Sequence, residues 1–234
     1  MATHKIVLTQ RSSAKVAGYG LLIMTILAIL SLALIFQKLI MPDDAARTVS
    51  NIVQNEMLFR IGIVSLIIII ICDIVVAWAF YYFMEPVNKS LSLLTAWFRL
   101  VYSVIFAAAL SNYFNVLQLV GGADYLKVFE ANQLSAQVML SIKSFDDVWA
   151  IGYIFFGLHL AFLGYLAVKS GFISRIISYL ILIAGISYLI DYFSKFLLPE
   201  HALHTAMIFG WGEVIFMVWL LIKGNKFPDA QKDL

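Results

Sequence analysis

Charged positions divide the chain into long apolar stretches. Val16–Gln37 carries no charge, Ile61–Met84 carries only Asp73, and Leu100–Ala123 carries none. Val148–Val168 is interrupted only by His159. Ile176–Leu198 holds Asp191 and Lys195, and His201–Ile222 holds Glu213 and His204. A hydrocarbon core of about 30 Å needs about 20 helical residues rising about 1.5 Å each, so each stretch is long enough to cross it. The pattern predicts an all-α fold: a polytopic membrane protein with a six-transmembrane-helix bundle. Its spans fall at about 16–40, 61–84, 97–120, 148–168, 175–198 and 201–222, with tails at 1–15 and 223–234. Barrel strands would alternate in polarity, and Ile67-Ile68-Ile69-Ile70-Ile71 does not. The first stretch exceeds a cleaved signal's apolar region of about 7–15 residues and reads as a retained helix.

Two connections are long. Val49, Ile52, Val53 and Met57 share one helical face between Asp43 and Arg60, as do Leu134, Val138, Ile142 and Phe145 between Asp124 and Asp147. Each predicts a short amphipathic helix on the outer side. Pro86 ends the second span, and Pro199 separates the fifth from the sixth. Ser90–Phe98 fits either a long third span or a separate interfacial piece.

Composition narrows the partners. Apolar residues make up 62% of the 234, and charged residues 13%, about half the share in a soluble domain. Mean hydropathy is +0.93. The partner this implies is a lipid bilayer. A net charge of +2 does not suggest nucleic acid, and the single Cys72 excludes an intrachain disulfide or a cysteine-built zinc site. Ten of the sixteen lysines and arginines fall at the two ends or on the second and fourth connections, the side the ends share. By the positive-inside rule both termini are cytoplasmic, in a plasma membrane. Neither a Walker-type loop, a Gly-x-Ser-x-Gly elbow nor a His-Glu-x-x-His helix occurs. No cofactor is expected. No metal is expected either, because His201 and His204 stand at i,i+3 without a third histidine nearby.

The intramembrane polar residues are the candidate site. An ionisable group at mid-bilayer costs about 2.5–3.5 kcal/mol on insertion scales, so each needs a reason to be there. Asp73, His159 and Glu213 all fall near the middle of their stretches. Asp191 lies about 9 Å outward of the middle of its span, and Lys195 a turn further. Those two share a face and could form an ion pair. Asn112 lies slightly outward of centre in the third span. Arg99, at the edge of that span, reads as snorkelling to phosphates, with an Asp73–Arg99 bond as the alternative. A Glu213–His159 bond is equally compatible. Gly157, Ala161 and Gly164 form a small-residue stripe opposite His159.

Several segments, in order, carry a resemblance. They are Asn55–Ile63, Asp73, Glu85-Pro86-Val87, Phe98-Arg99-Leu100-Val101, Phe155–His159 and Gly164-Tyr165-Leu166. Ser170-Gly171-Phe172, Gly185–Tyr188 with Asp191, and Gly212-Glu213 continue the series. Over residues 11–224 the chain resembles a bacterial membrane family described as a domain of unknown function, DUF4386. Ser174 stands where that family has a proline, which bears on where the fifth span starts. The resemblance implies the architecture and no activity.

The expected function follows from the buried cluster of Asp73, His159, Glu213 and Asp191, with Lys195, Arg99 and Asn112 beside it. Carboxylates in a low dielectric resist ionisation unless paired. That suits a proton-linked carrier of a small solute or ion. The alternatives are a structural, sensor or assembly subunit, and an intramembrane enzyme with a lipid-like substrate.

Overall fold

The structure is a computed structural model that describes residues 9–198, 200 and 203–227. Among these residues the fold is all-helical, with no strand. Six helices are long and apolar enough to cross a membrane: Gln10–Leu39, Glu56–Met84, Lys89–Val120, Ala131–Ser170, Arg175–Leu197 and Thr205–Lys226. They are spans one to six in chain order. Such stretches become helices because lipid offers no hydrogen bonds, and a helix satisfies its backbone internally.

Local chemistry moves several helix ends beyond the charge boundaries. Span two starts at Glu56, where an i,i+4 ion pair with Arg60 at 2.7 Å closes the first turn. Span three starts at Lys89, because Asn88 Oδ1 accepts the Leu91 N–H at 2.9 Å and caps it. Ser90–Phe98 therefore belongs to span three. The second amphipathic segment is helical on its predicted face, with Val138, Ile142 and Phe145 buried. It runs unbroken into span four, however, since no Gly or Pro lies between Ala131 and Ile151. Gln133 Oε1 accepts the Glu130 N–H at 3.0 Å at its start. Span two ends at Met84, two residues before Pro86. Span five starts at Arg175, directly after Ser174. Pro199 and His201 lie outside the described residues.

The chain divides into two compact units: Met1–Ile23, Cys72–Tyr102 and Tyr153–Leu234 form one, and Met24–Ile71 with Ser103–Gly152 the other. In the first, small residues bring helices close. A side chain on Gly185 would run into the backbone of Gly157 and Ala161, and one on Gly164 into the backbone of Leu182. The predicted stripe of span four is thus the contact with span five. Gly212 in span six abuts the Leu180 carbonyl in the same way. Phe80 of span two stacks on Phe216 of span six, with ring centroids 5.7 Å apart.

In the second unit Tyr113 stacks on Phe145 at 4.2 Å, with Phe36 at 4.8 Å and Phe59 at 5.4 Å. The short helix Ala45–Gln54 is capped by Asp44, which accepts the Arg47 N–H at 2.9 Å. Its face differs from the apolar stripe the sequence suggests. Thr48 Oγ1 donates to the Met41 carbonyl at 3.0 Å and accepts the Met41 N–H at 2.8 Å, and Asn51 donates to the Leu39 carbonyl at 3.2 Å. These bonds turn Thr48 and Ile52 inward and leave Val53 and Met57 exposed.

Span two shows how the helices sort their sides. Ile61, Val64, Ile68, Ile71, Val75 and Trp78 recur every three or four residues and are all exposed. Phe59, Ile63, Leu66, Asp73, Val76, Phe80 and Phe83 recur on the opposite side and are all buried. An exposed face this apolar suits contact with acyl chains, and the buried face carries the carboxylate.

Candidate functional site: a buried arginine hub

The site lies wholly within the first unit and centres on Arg99. Its side chain is fully buried, as are those of Asp73 and His159. Because span three begins at Lys89, Arg99 sits ten residues inside the helix, about 15 Å from its start. That overturns the expected snorkelling. The guanidinium is enclosed by the protein and held by partners from three other spans.

Nε and Nη2 both donate to Asp73 Oδ1 of span two, each at 2.8 Å. Nη1 donates to Glu213 Oε1 of span six at 2.5 Å. Nη1 also lies 3.1 Å from His159 Nε2 of span four. His159 Nδ1 is 2.9 Å from the Thr95 carbonyl, one turn before Arg99. A carbonyl only accepts, so Nδ1 carries the hydrogen and Nε2 is left to accept from Arg99. His159 is neutral in this arrangement. The expected Glu213–His159 bond is replaced by a shared donor, Arg99 Nη1. Phe80 and Phe156 lie 5.9 Å and 5.5 Å from the guanidinium carbon and wall it off with their rings.

Two carboxylates thus face one guanidinium and a neutral imidazole. Asp73 Oδ2 is buried and has no hydrogen-bond partner among the described residues. Glu213 retains 17% side-chain exposure and stands in the first turn of Gly212–Lys223. That helix is separated from Thr205–Phe209 by a turn at Gly210–Trp211, so span six is interrupted beside its carboxylate.

Asp191 is not among the Arg99 partners. Oδ1 accepts the Thr205 N–H and hydroxyl, both at 2.7 Å, and Oδ2 accepts the Ala206 N–H at 2.6 Å. It caps the first helical piece of span six from a neighbouring helix. Lys195 lies one turn further along span five and is half-buried. Asn112 donates to the Ala109 carbonyl of its own helix at 3.0 Å and lies in the other unit. The Arg99 hub thus joins Asp73, His159 and Glu213, while Asp191 and Asn112 bond elsewhere. Thr95 was missed, although its place four residues before Arg99 put it on the same helical face.

Six helices long and apolar enough to cross a membrane, with a buried ion cluster joining four of them, define a multi-pass membrane protein. The chain belongs to the family described as domain of unknown function DUF4386, which matches residues 16–224. An uncharacterised protein of Archaeoglobus fulgidus is 36% identical over 169 residues, 72% of this chain and 87% of that one. A family with an archaeal relative is wider than bacterial. No solved structure matches the chain.

Proposed function

We propose that the Arg99 cluster is the proton-exchange site of a proton-linked carrier for a small solute or ion. Asp73 Oδ2 carries this reading. It is buried without a hydrogen-bond partner among the described residues, in a cluster with one carboxylate more than the guanidinium can balance. Excess charge in a low dielectric is costly, and one proton on Oδ2 removes it. Arg99 grips only Oδ1, so a proton can join or leave Oδ2 without breaking the ion pair. Glu213, partly exposed beside the interruption of span six, offers the route in. Interrupted helices near mid-membrane accompany ion and substrate sites in several transporter folds.

The test is proton flux into proteoliposomes holding a pH-sensitive dye, screened against small organic and inorganic solutes. Asp73→Asn and Glu213→Gln should each abolish solute-dependent flux while protein levels stay intact. Flux that survives both substitutions contradicts the reading.

A second reading, a structural role, draws on one feature: a single guanidinium ties spans two, three, four and six together. It expects the same substitutions to lower folded protein instead. The charge bias supports a further assignment, both ends on the cytoplasmic side of a cytoplasmic membrane. Reporter fusions at each end test it, and an external signal at either end refutes it.

A further inference from the structure

Beside Asp191 lies a cavity of about 280 Å³ that the proton site does not use. Its walls include Tyr153 of span four, Tyr188, Asp191 and Tyr192 of span five, and His204 just before span six. The three tyrosine rings are close to parallel. Tyr153 lies 4.6 Å from Tyr192 and 5.5 Å from Tyr188, and Tyr188 lies 6.2 Å from Tyr192. All three are half-buried and line the cavity.

We propose that this pocket binds a small organic ammonium ion. The sign of the charge comes from Asp191, which is 8% exposed and would repel an anion across a low dielectric. The chemical type comes from what Asp191 already does. Its oxygens take three hydrogen bonds from Thr205 and Ala206, so they are poorly placed to replace the water shell of a metal cation. A weakly hydrated ammonium needs only a nearby negative charge and aromatic surface, and tyrosine rings supply the latter. A cavity of this volume holds a ligand of a few heavy atoms. A free solute and a lipid headgroup both present this chemistry. The binding claim does not depend on the carrier reading. If both hold and the phosphatidylcholine test assigns a free solute, that ammonium is the candidate for the solute that the proton drives.

Binding of radiolabelled choline to the full chain tests this directly. The chain is placed in nanodiscs of phosphatidylglycerol alone, which contain no ammonium group. Choline should bind and should be displaced by tetramethylammonium. Its uncharged isostere 3,3-dimethylbutanol should compete at least about tenfold less well, since the shape is kept and only the charge–ring attraction is lost. Tyr192→Leu and Asp191→Asn should each weaken choline by about tenfold or more, and Tyr192→Phe should retain it. Nanodiscs of phosphatidylcholine separate the sources. Unchanged choline binding there assigns a free solute, and loss of it with phosphatidylcholine retained on the purified protein assigns a headgroup. Absence of choline binding in phosphatidylglycerol overturns the proposal. Equal competition by the isostere also overturns it, and needs no substituted protein.

Discussion

Arg99 and Asp73 meet through a single carboxylate oxygen. Both Nε and Nη2 point at Oδ1, 2.8 Å away, and Oδ2 is left buried without a hydrogen-bond partner among the described residues. A side-on arginine–carboxylate pair usually engages both oxygens. Here the second arm, Nη1, is taken by Glu213 and His159, so one planar group serves three acceptors from three helices. Fixed planar geometry is what an arginine brings to such a place and a lysine does not.

Replacing Arg99 should therefore be the most damaging single change in the chain. Arg99→Met leaves the buried Asp73 carboxylate and the partly exposed Glu213 without their shared cation, at a cost of about 3–5 kcal/mol. Arg99→Lys should recover little of this, because one ammonium cannot reach Asp73 and Glu213 along the directions of the fork. Unfolding of detergent-solubilised protein, followed by size exclusion over a temperature series, measures both. Arg99→Lys with wild-type stability would argue against the fork geometry.

Asp191 should act on one short piece of chain. Asp191→Ala strips the acceptors from the Thr205 and Ala206 N–H groups, at a cost of about 1–3 kcal/mol. Hydrogen exchange should rise over Thr205–Phe209 and stay unchanged over Gly212–Lys223. Unchanged exchange at Thr205–Phe209 would mean that the cap does not hold that segment.

The glycines should divide by what they touch. Gly185→Ala and Gly212→Ala meet backbone in the neighbouring helix, so overpacking should cost about 1–3 kcal/mol each. Gly18→Ala comes no nearer than 3.2 Å to its neighbours, side-chain atoms of Leu221 and the Cβ of Leu220, and should cost less than either. Thermal unfolding of the three variants checks the order, and a Gly18 variant as damaged as the others would refute it.

Asn112 should be expendable. Among the described residues its side chain bonds to the Ala109 carbonyl of its own helix, so Asn112→Ala should change stability by no more than about 0.5 kcal/mol. Solute-dependent proton flux should be untouched. Loss of flux would return Asn112 to the site from which the geometry removes it.

The contrast between Asn112 and Arg99 shows what a one-dimensional reading can see. Position along a helix is a property of that helix alone, and counting singles out Asp73, His159 and Glu213; the structure buries the first two fully and leaves Glu213 17% exposed. The small-residue stripe of span four was legible for the same reason: 100° per residue places Gly157, Ala161 and Gly164 together whatever the helix packs against. A charge marks the end of a span only where it is uncompensated, and Arg99 is compensated by Asp73 and Glu213 from other helices. The Asn88 cap was the local signal that extends span three to Lys89. Asp191 was assigned to the cluster because its true partners, the backbone N–H groups of Thr205 and Ala206, exist only where span six begins. That start lies four residues beyond His201, where the sequence put it. Partner choice depends on how helices pair in space, which periodicity within each helix does not encode.

The central claim is that Arg99 is a buried hub rather than a lipid-facing cation. Solid-state NMR in bilayers measures this directly, with nitrogen-15 in the arginines and carbon-13 in the aspartate and glutamate carboxyl groups. The account expects one guanidinium, lost in Arg99→Met, to show close couplings to two carboxyl carbons that disappear separately in Asp73→Asn and Glu213→Gln. A guanidinium that couples instead to lipid phosphorus, with neither carboxyl carbon in range, would contradict it.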